Sequence, residues 1–337
     1  MVAIHEAKTG PITVERLTAL VEAIADEAGS AAPVKASWNG EHSNDILALD
    51  FDDGRTLMIK RARHDWVAPR FEAARAASRL LRHRANVVAP APLDVPPGID
   101  DLPVQAYWRI PLPTLGAVWP RLSERARARA LHSLGRLVRR IHGIRLPGWG
   151  PLPGAVAGGE SLETYLEYDL AQRLLPAVTD IWPEARPALE ALVELVSGVA
   201  RRAERAGGVL VHNDLHLGNV LCEVEGDDVR CVGLLDLEAS LAAPAASDLA
   251  SFEAMHGPLF EQSLEPRRRR EFHKGYGARP DAAVFAFYGA VHLANMGFHS
   301  ALLGHDEHAA RVAAAFRDAV RITARRLSGN VETVAYG

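Results

Sequence analysis

Lysine is scarce in this chain: Lys8, Lys35, Lys60 and Lys274 are the only four among 38 basic residues. Arginine has replaced it nearly everywhere, so a lysine inside a predicted strand, as Lys60 is, raises a functional question. Cysteine is scarcer still. Cys222 and Cys231 are too few for a disulfide framework, and they read as reduced packing residues on the two arms of one predicted hairpin. No apolar run reaches the roughly 18 residues of a membrane-spanning helix. The N-terminus, MVAIHEAKTG, lacks a basic-then-apolar leader, so a cytoplasmic location is expected. A net charge of −4 argues against a nucleic-acid partner. Internal repeats and low-complexity tails are missing. What is present is globular: 337 residues, 48% hydrophobic and 24% charged, enough for one large or two ordinary domains.

The pattern divides near residue 110. Residues 12–28 place Val14, Leu17, Val21 and Ile24 on one face of a predicted helix that Gly29 stops. Strands are expected at 34–38, 44–51, 55–60, 87–95 and 104–110, with Asp53-Gly54 as a hairpin turn and one helix over 69–83. From Pro111 onward helices dominate. Residues 123–142 set Leu131, Leu134, Val138 and Ile141 against a face of arginines, and 160–175 and 184–206 read as two further helices after a Gly/Pro-rich loop at 147–159. A strand, loop and hairpin span 209–236, and helices run from Asp248 to Leu327. The expected fold is α+β: residues 1–110 form a small antiparallel-sheet lobe, 111–337 a mostly helical one, with the active site between them.

The segment from Gly208 to Ala239, GVLVHNDLHLGNVLCEVEGDDVRCVGLLDLEA, holds the chemistry. It brings Asp214, Asn219 and Asp236 to neighbouring strand ends. Phosphoryl transfer needs an in-line hydroxyl, a held triphosphate and charge neutralised by metal, with little covalent help from the protein. Asp214 suits the hydroxyl proton, as base or orienter. Asn219 and Asp236 offer the oxygen ligands that Mg²⁺ prefers. His212 joins Asp214 in the catalytic set, as a loop-fixing residue rather than a base. Zinc at His212 and His216 is disfavoured because no matching Cys/His set accompanies them.

His212-x-Asp214-x-x-x-x-Asn219 followed by Asp236 resembles the catalytic loop and metal aspartate of the protein-kinase-like superfamily. The spelling VHNDLHLGNVL…LLDLEAS…DLA is closest to the aminoglycoside phosphotransferase family, whose wider circle includes choline, homoserine and fructosamine kinases. LGRLVRRIH, ending on His142, resembles the helix that precedes the family's substrate-binding insertion, and Asp248 matches an aspartate that braces the catalytic loop. The resemblance implies a bilobal kinase-like fold and a reaction using ATP, or alternatively GTP, with Mg²⁺. It implies Lys60 on the α- and β-phosphates, held by Glu72, and a nucleotide loop at 39–44 contributing Ser43 and Asn44, for which a plain turn is the alternative. It also implies a purine-binding hinge from Tyr107 to Ile110, including Arg109. Two departures stand out: Leu112 replaces a usual glycine, and Asn213 replaces the glycine between His212 and Asp214. Asparagine tolerates positive φ, so the loop is expected to keep its shape.

The resemblance implies an acceptor that is a small molecule bearing a hydroxyl, and an aminoglycoside or related natural product leads. Glu160, Glu163 and Glu167 share one stripe of a predicted helix and would suit a polyamine, a solvated face being the alternative. Glu238 is a further candidate. His292, His299, His305 and His308 read as surface or packing residues, and Arg267–Arg270 as a solvated helix start. A metabolite kinase and a catalytically silent binding module are the rival readings. A protein kinase is disfavoured because only eleven residues separate Asp236 from Asp248, too few for an activation segment.

Overall fold

The computed structural model describes residues 33–41, 44–62, 68–93, 103–152, 161–260 and 263–329. The helix expected over 12–28, and the candidates Ser43 and Glu160, lie outside these. The chain divides into two compact units between Leu112 and Pro113.

The first unit is an antiparallel sheet in the order β1 (Pro33–Glu41), β2 (Asn44–Phe51), β3 (Thr56–Ala62) and β4 (Val104–Trp108), with helix α1 (Ala68–Arg84) inserted before the last strand. At the β2–β3 turn Gly54 takes φ +82°, and Asp53 accepts the Arg55 N–H at 2.9 Å. That is the left-handed geometry for which the Asp-Gly pair is suited. Leu57 and Ile59 are buried on β3, while Thr56 and Met58 on the other face are half-buried, the period of a strand covered on one side. Over 87–93, the described part of the strand expected at 87–95, no strand forms. Pro90 and Pro92 lack the N–H groups that a ladder requires. Contact with β4 shrinks to one bridge, Pro92 opposite Tyr107, and one bond from Leu93 N–H to the Ala106 carbonyl.

The second unit begins with a short helix, α2 (Leu115–Val118), and the long α3 (Glu124–Ile141), whose first turn is capped by Ser123. A small sheet in the order β5-β7-β10-β6 joins β5 (Arg145–Leu146), β6 (Gly150–Pro151), β7 (Gly208–Val211) and β10 (Leu241–Ala243). Thus the predicted loop at 147–159 supplies an edge strand. The helix expected at 160–175 is interrupted: α4 (Leu162–Glu167) passes into a π-helical stretch at Tyr168–Leu174 and then α5 (Leu175–Ile181). The one expected at 184–206 breaks into α6 (Arg186–Glu194) and α7 (Val196–Ala203). A hairpin of β8 (Val220–Glu225) and β9 (Asp228–Leu234) sets Cys222 opposite Cys231, both buried free thiols. Helices α8 (Ala246–Met255), α9 (Pro266–Tyr276), α10 (Ala282–Leu302) and α11 (Asp306–Leu327) complete the unit.

The main core lies among α4–α8, α10 and α11, centred on Trp182, Leu189, Phe287 and Phe316. Where α3 crosses α9 the backbones touch. A Cβ on Gly275 would land on the His132 carbonyl, and one on Gly135 on the Phe272 carbonyl. This contact holds α9 against the middle of α3. Among the described residues no helix is long and apolar enough to cross a membrane.

Candidate active site

Four buried strand residues, Gly208–Val211, deliver the chain to the loop that begins at His212. The loop is fixed from below by Asp248 on α8, which is only 1% exposed. Its Oδ2 accepts the His212 N–H at 2.9 Å and its Oδ1 the Asn213 N–H at 2.7 Å. A third donor is His142 at the end of α3, whose Nε2 lies 3.0 Å from Asp248 Oδ2 and whose Nδ1 lies 2.9 Å from the Tyr276 hydroxyl. Burial pushes the Asp248 carboxyl up, but the His142 hydrogen bond and charge, helped by His212, outweigh it and hold the group below the usual carboxylate value. An ionised carboxylate with three donors is therefore the foundation of the loop.

His212 is spent on structure. Its Nε2 lies 2.7 Å from the Leu235 carbonyl, which only accepts, so Nε2 carries the proton. Its Nδ1 accepts the Asp214 N–H at 3.3 Å. Both ring nitrogens face backbone, so His212 fixes the loop and is no base. Leu235 is held at its other side as well, its N–H donating to the Asn219 carbonyl at 2.8 Å. Asp236 follows at once, exposed, with φ +53°. The expected positive φ at Asn213 is present too, at +65°.

Asn219 joins the two halves of the motif. Its Nδ2 donates to the Asp214 backbone oxygen at 3.0 Å and to Asp214 Oδ2 at 3.2 Å. That turns Oδ1 the opposite way, and Oδ1 has no protein donor among the described residues. The orientation fits a cation: a hard oxygen is presented on the side away from Asp214. Among the described residues no cluster of three or more His, Cys, Asp or Glu forms a complete metal cage. Mg²⁺ needs none, since it takes one or two protein oxygens and completes its shell with phosphate and water.

Several contributors were not legible in the sequence. His216 accepts the Gly218 N–H on Nδ1 at 3.1 Å and brings Nε2 to 3.9 Å from Asp214 Oδ2. Ser251 accepts the Leu215 N–H at 3.2 Å. His292, read as packing or surface, reaches the first turn of α8 from α10, with Nε2 3.0 Å from the Ser247 carbonyl. Burial lowers its basicity against the pull of that carbonyl, Asp248 and Asp214. A histidine at the eleventh position of the apolar helix α10 carries no mark of such a contact.

Of the acceptor candidates, Glu163 is half-buried and Glu167 exposed on α4, and Glu238 is half-buried in the turn after Asp236. In the first unit, Lys60 is buried at 7% exposure, and Asn44 is buried opposite Ala62. Glu72 differs from expectation. It is exposed on α1, its recorded ion partner is Arg75 at 3.9 Å, and no Lys60–Glu72 pair forms among the described residues. The expected hinge is partly occupied: the Arg109 N–H donates to the Thr56 carbonyl and the Ile110 carbonyl accepts the Leu112 N–H, each at 2.8 Å. An unforeseen ion pair, Arg61 with Asp45 at 2.8 Å, is buried beside Asn44 and Lys60 in sequence.

A loop braced by a buried aspartate, with carboxylate, carboxamide and a left-handed aspartate in series, is the site of a kinase-like phosphotransferase. A profile described as the phosphotransferase enzyme family matches residues 38–293, and the chain belongs to that family. Solved structures show the same fold. Aminoglycoside phosphotransferase APH(4)-Ia, in a thermostable apo form, aligns at TM-score 0.67 and 16% identity over 93% of this chain and 99% of that one. Macrolide 2'-phosphotransferase MphH from Brachybacterium faecium aligns at 0.56 and 18%, over 88% and 97%. A GDP complex of an aminoglycoside 2'-phosphotransferase IIIa variant aligns at 0.62 and 13%, over 94% and 100%. A search among curated proteins finds no match. The chain is a small-molecule kinase.

Proposed function

We propose that the enzyme transfers the γ-phosphoryl group of ATP, with Mg²⁺, to a hydroxyl of an aminoglycoside or related natural product. The observation that carries this reading is the orientation of Asn219, whose Nδ2 is committed to Asp214 and whose Oδ1 is turned away as a ligand. Asp214 orients the acceptor hydroxyl and takes its proton. Asn219 Oδ1 and the Asp236 carboxylate would hold the magnesium ion. The ion, when bound, neutralises charge on the transferring phosphate. Lys60, buried on β3, binds the α- and β-phosphates. Asn44 supports the nucleotide loop with Ser43. Among the described residues the Arg109 carbonyl and Ile110 N–H carry no backbone bond, and they are the hinge groups for the base. Glu72 holds Lys60 only if its side chain leaves Arg75 on nucleotide binding.

The acceptor class draws support from the fold relatives, one of which is a ternary complex of APH(4)-Ia with ADP and hygromycin B. Glu163, Glu167 and Glu238, with Glu160, are the carboxylates proposed to meet acceptor amines.

A coupled ATP-turnover screen over aminoglycosides, macrolides, choline and homoserine tests the reading. Asp214→Asn is expected to lower kcat by about 10²–10⁴-fold, the usual contribution of a positioned acid or base, while ATP still binds. Asp236→Ala is expected to weaken Mg-dependent nucleotide binding. Transfer to choline or homoserine alone would move the enzyme to the metabolite kinases. Mg-ATP binding without transfer to any acceptor would mark a silent module.

A further inference from the structure

Asn213 directly precedes Asp214 at φ +65°, a conformation that glycine adopts without cost. Its hydrogen bonds show what the side chain supplies instead. His292 Nε2 faces the Ser247 carbonyl at 3.0 Å, so Nε2 must carry the proton. The same N–H leans on Ser247 Oγ at 3.5 Å. The Ser247 hydroxyl then donates to Asn213 Oδ1 at 3.0 Å. All donors along this chain point one way, from α10 through α8 to the loop. The Asn213 amide is thereby held with its oxygen towards Ser247 and its Nδ2 on the opposite side. Nδ2 makes no hydrogen bond among the described residues, and it is not one of their buried polar atoms that lack a partner. It is a solvent-accessible donor, oriented by a buried serine, on the residue before Asp214.

We propose that Asn213 Nδ2 recognises the acceptor, donating a hydrogen bond to an oxygen beside the hydroxyl that receives the phosphoryl group. The inference rests on the phosphotransfer reading and adds the acceptor's chemistry at this point: a hydroxyl, ether or carbonyl oxygen, as on a polyhydroxylated ring. An ammonium has donors only and would meet the Nδ2 hydrogens head-on. Asparagine here thus selects for oxygen next to the reacting hydroxyl, leaving acceptor amines to the carboxylates further away.

The test compares wild type, Asn213→Gly, Asn213→Asp and Ser247→Ala in steady-state transfer from Mg-ATP to hygromycin B, other aminoglycosides, macrolides and neutral sugar alcohols. For the acceptor that wild type phosphorylates best, Asn213→Gly is expected to raise KM roughly three- to tenfold, one neutral hydrogen bond, with kcat within about twofold. Asn213→Asp, which turns an acceptor towards an acceptor, raises KM further. Ser247→Ala frees the amide to rotate and raises KM less than Asn213→Gly does. An unchanged KM in Asn213→Gly overturns the proposal, and so does a lowered KM in Asn213→Asp, which would identify an ammonium partner. A fall in kcat and melting temperature at constant KM would make Asn213 structural only, and also overturns it. If wild type phosphorylates none of these acceptors, the phosphotransfer reading itself fails, a result distinct from the others.

Discussion

Replacing Asp248 with asparagine removes one oxygen acceptor and introduces two N–H donors where three donors already converge. The His212 N–H, the Asn213 N–H and His142 Nε2 all end on this carboxylate at 2.7 to 3.0 Å. An asparagine Oδ1 can serve one oxygen position; its Nδ2 must face at least one buried donor. Breaking a buried charged pair costs about 3–5 kcal/mol. In a unit of this size each kcal/mol shifts the melting temperature by about 2–4 °C, so Asp248→Asn should melt roughly 6–20 °C lower. The carboxyl lies below its ordinary 3.8 in the fold, so its stabilisation is present above about pH 4 and is lost as pH falls through the folded value. The gap between wild type and Asp248→Asn should therefore stay constant from pH 8 to about pH 5 and narrow below about pH 4. Urea unfolding at several pH values, followed by fluorescence and by activity, measures it. A loss under about 1 kcal/mol, or a gap that does not narrow in acid, would refute the three-donor account.

Burial pushes His256 down to about 4, partly offset by its bond to the Phe252 carbonyl, while Nε2 has no partner. Its native value is depressed, so stability should fall as pH drops from about 6.5 towards 4. On the order of 3 kcal/mol is involved, and His256→Phe should flatten that slope in urea titrations. Gly275→Ala would drive its methyl group into the His132 carbonyl, so α3 and α9 must part. A loss of about 1–3 kcal/mol is expected, together with weaker activity because Tyr276 and His142 move with those helices; unchanged melting would contradict the close crossing.

The readable parts of the site were those set by local chemistry. The motif from His212 to Asp236, the positive φ at Asn213 and the Asp53-Gly54 turn follow from residue types within a few positions. The strand expected at 87–95 is missing from its described part, 87–93, because apolar spacing favours a strand there while hydrogen bonding, which Pro90 and Pro92 cannot supply, decides whether a ladder forms. His142, Tyr276, Ser247 and His292 gained their roles only by folding: His142 and Tyr276 are 134 positions apart. Glu72 shows the converse. Its place in sequence was the expected one, but side-chain direction on α1 turned it to Arg75, and no spacing rule encodes that choice.

The two left-handed residues show how the loop is held before any substrate arrives. Asn213 and Asp236 carry φ of +65° and +53°, where a side chain costs roughly 1–2 kcal/mol each, less for Asn and Asp, which tolerate it best. Against that cost stand the two bonds that Asp248 accepts from the His212 and Asn213 N–H groups, the bond that His212 Nε2 donates to the Leu235 carbonyl, and the bond that the Leu235 N–H donates to the Asn219 carbonyl. At about 0.5–1.5 kcal/mol each, more for those to an ionised group, the four exceed the strain. Each strained residue sits next to a doubly held backbone position, so relaxing either one would break bonds that its neighbours need. The loop geometry is therefore a property of the folded second unit alone. Binding energy from nucleotide and acceptor remains available for approach and charge neutralisation instead of for shaping the loop.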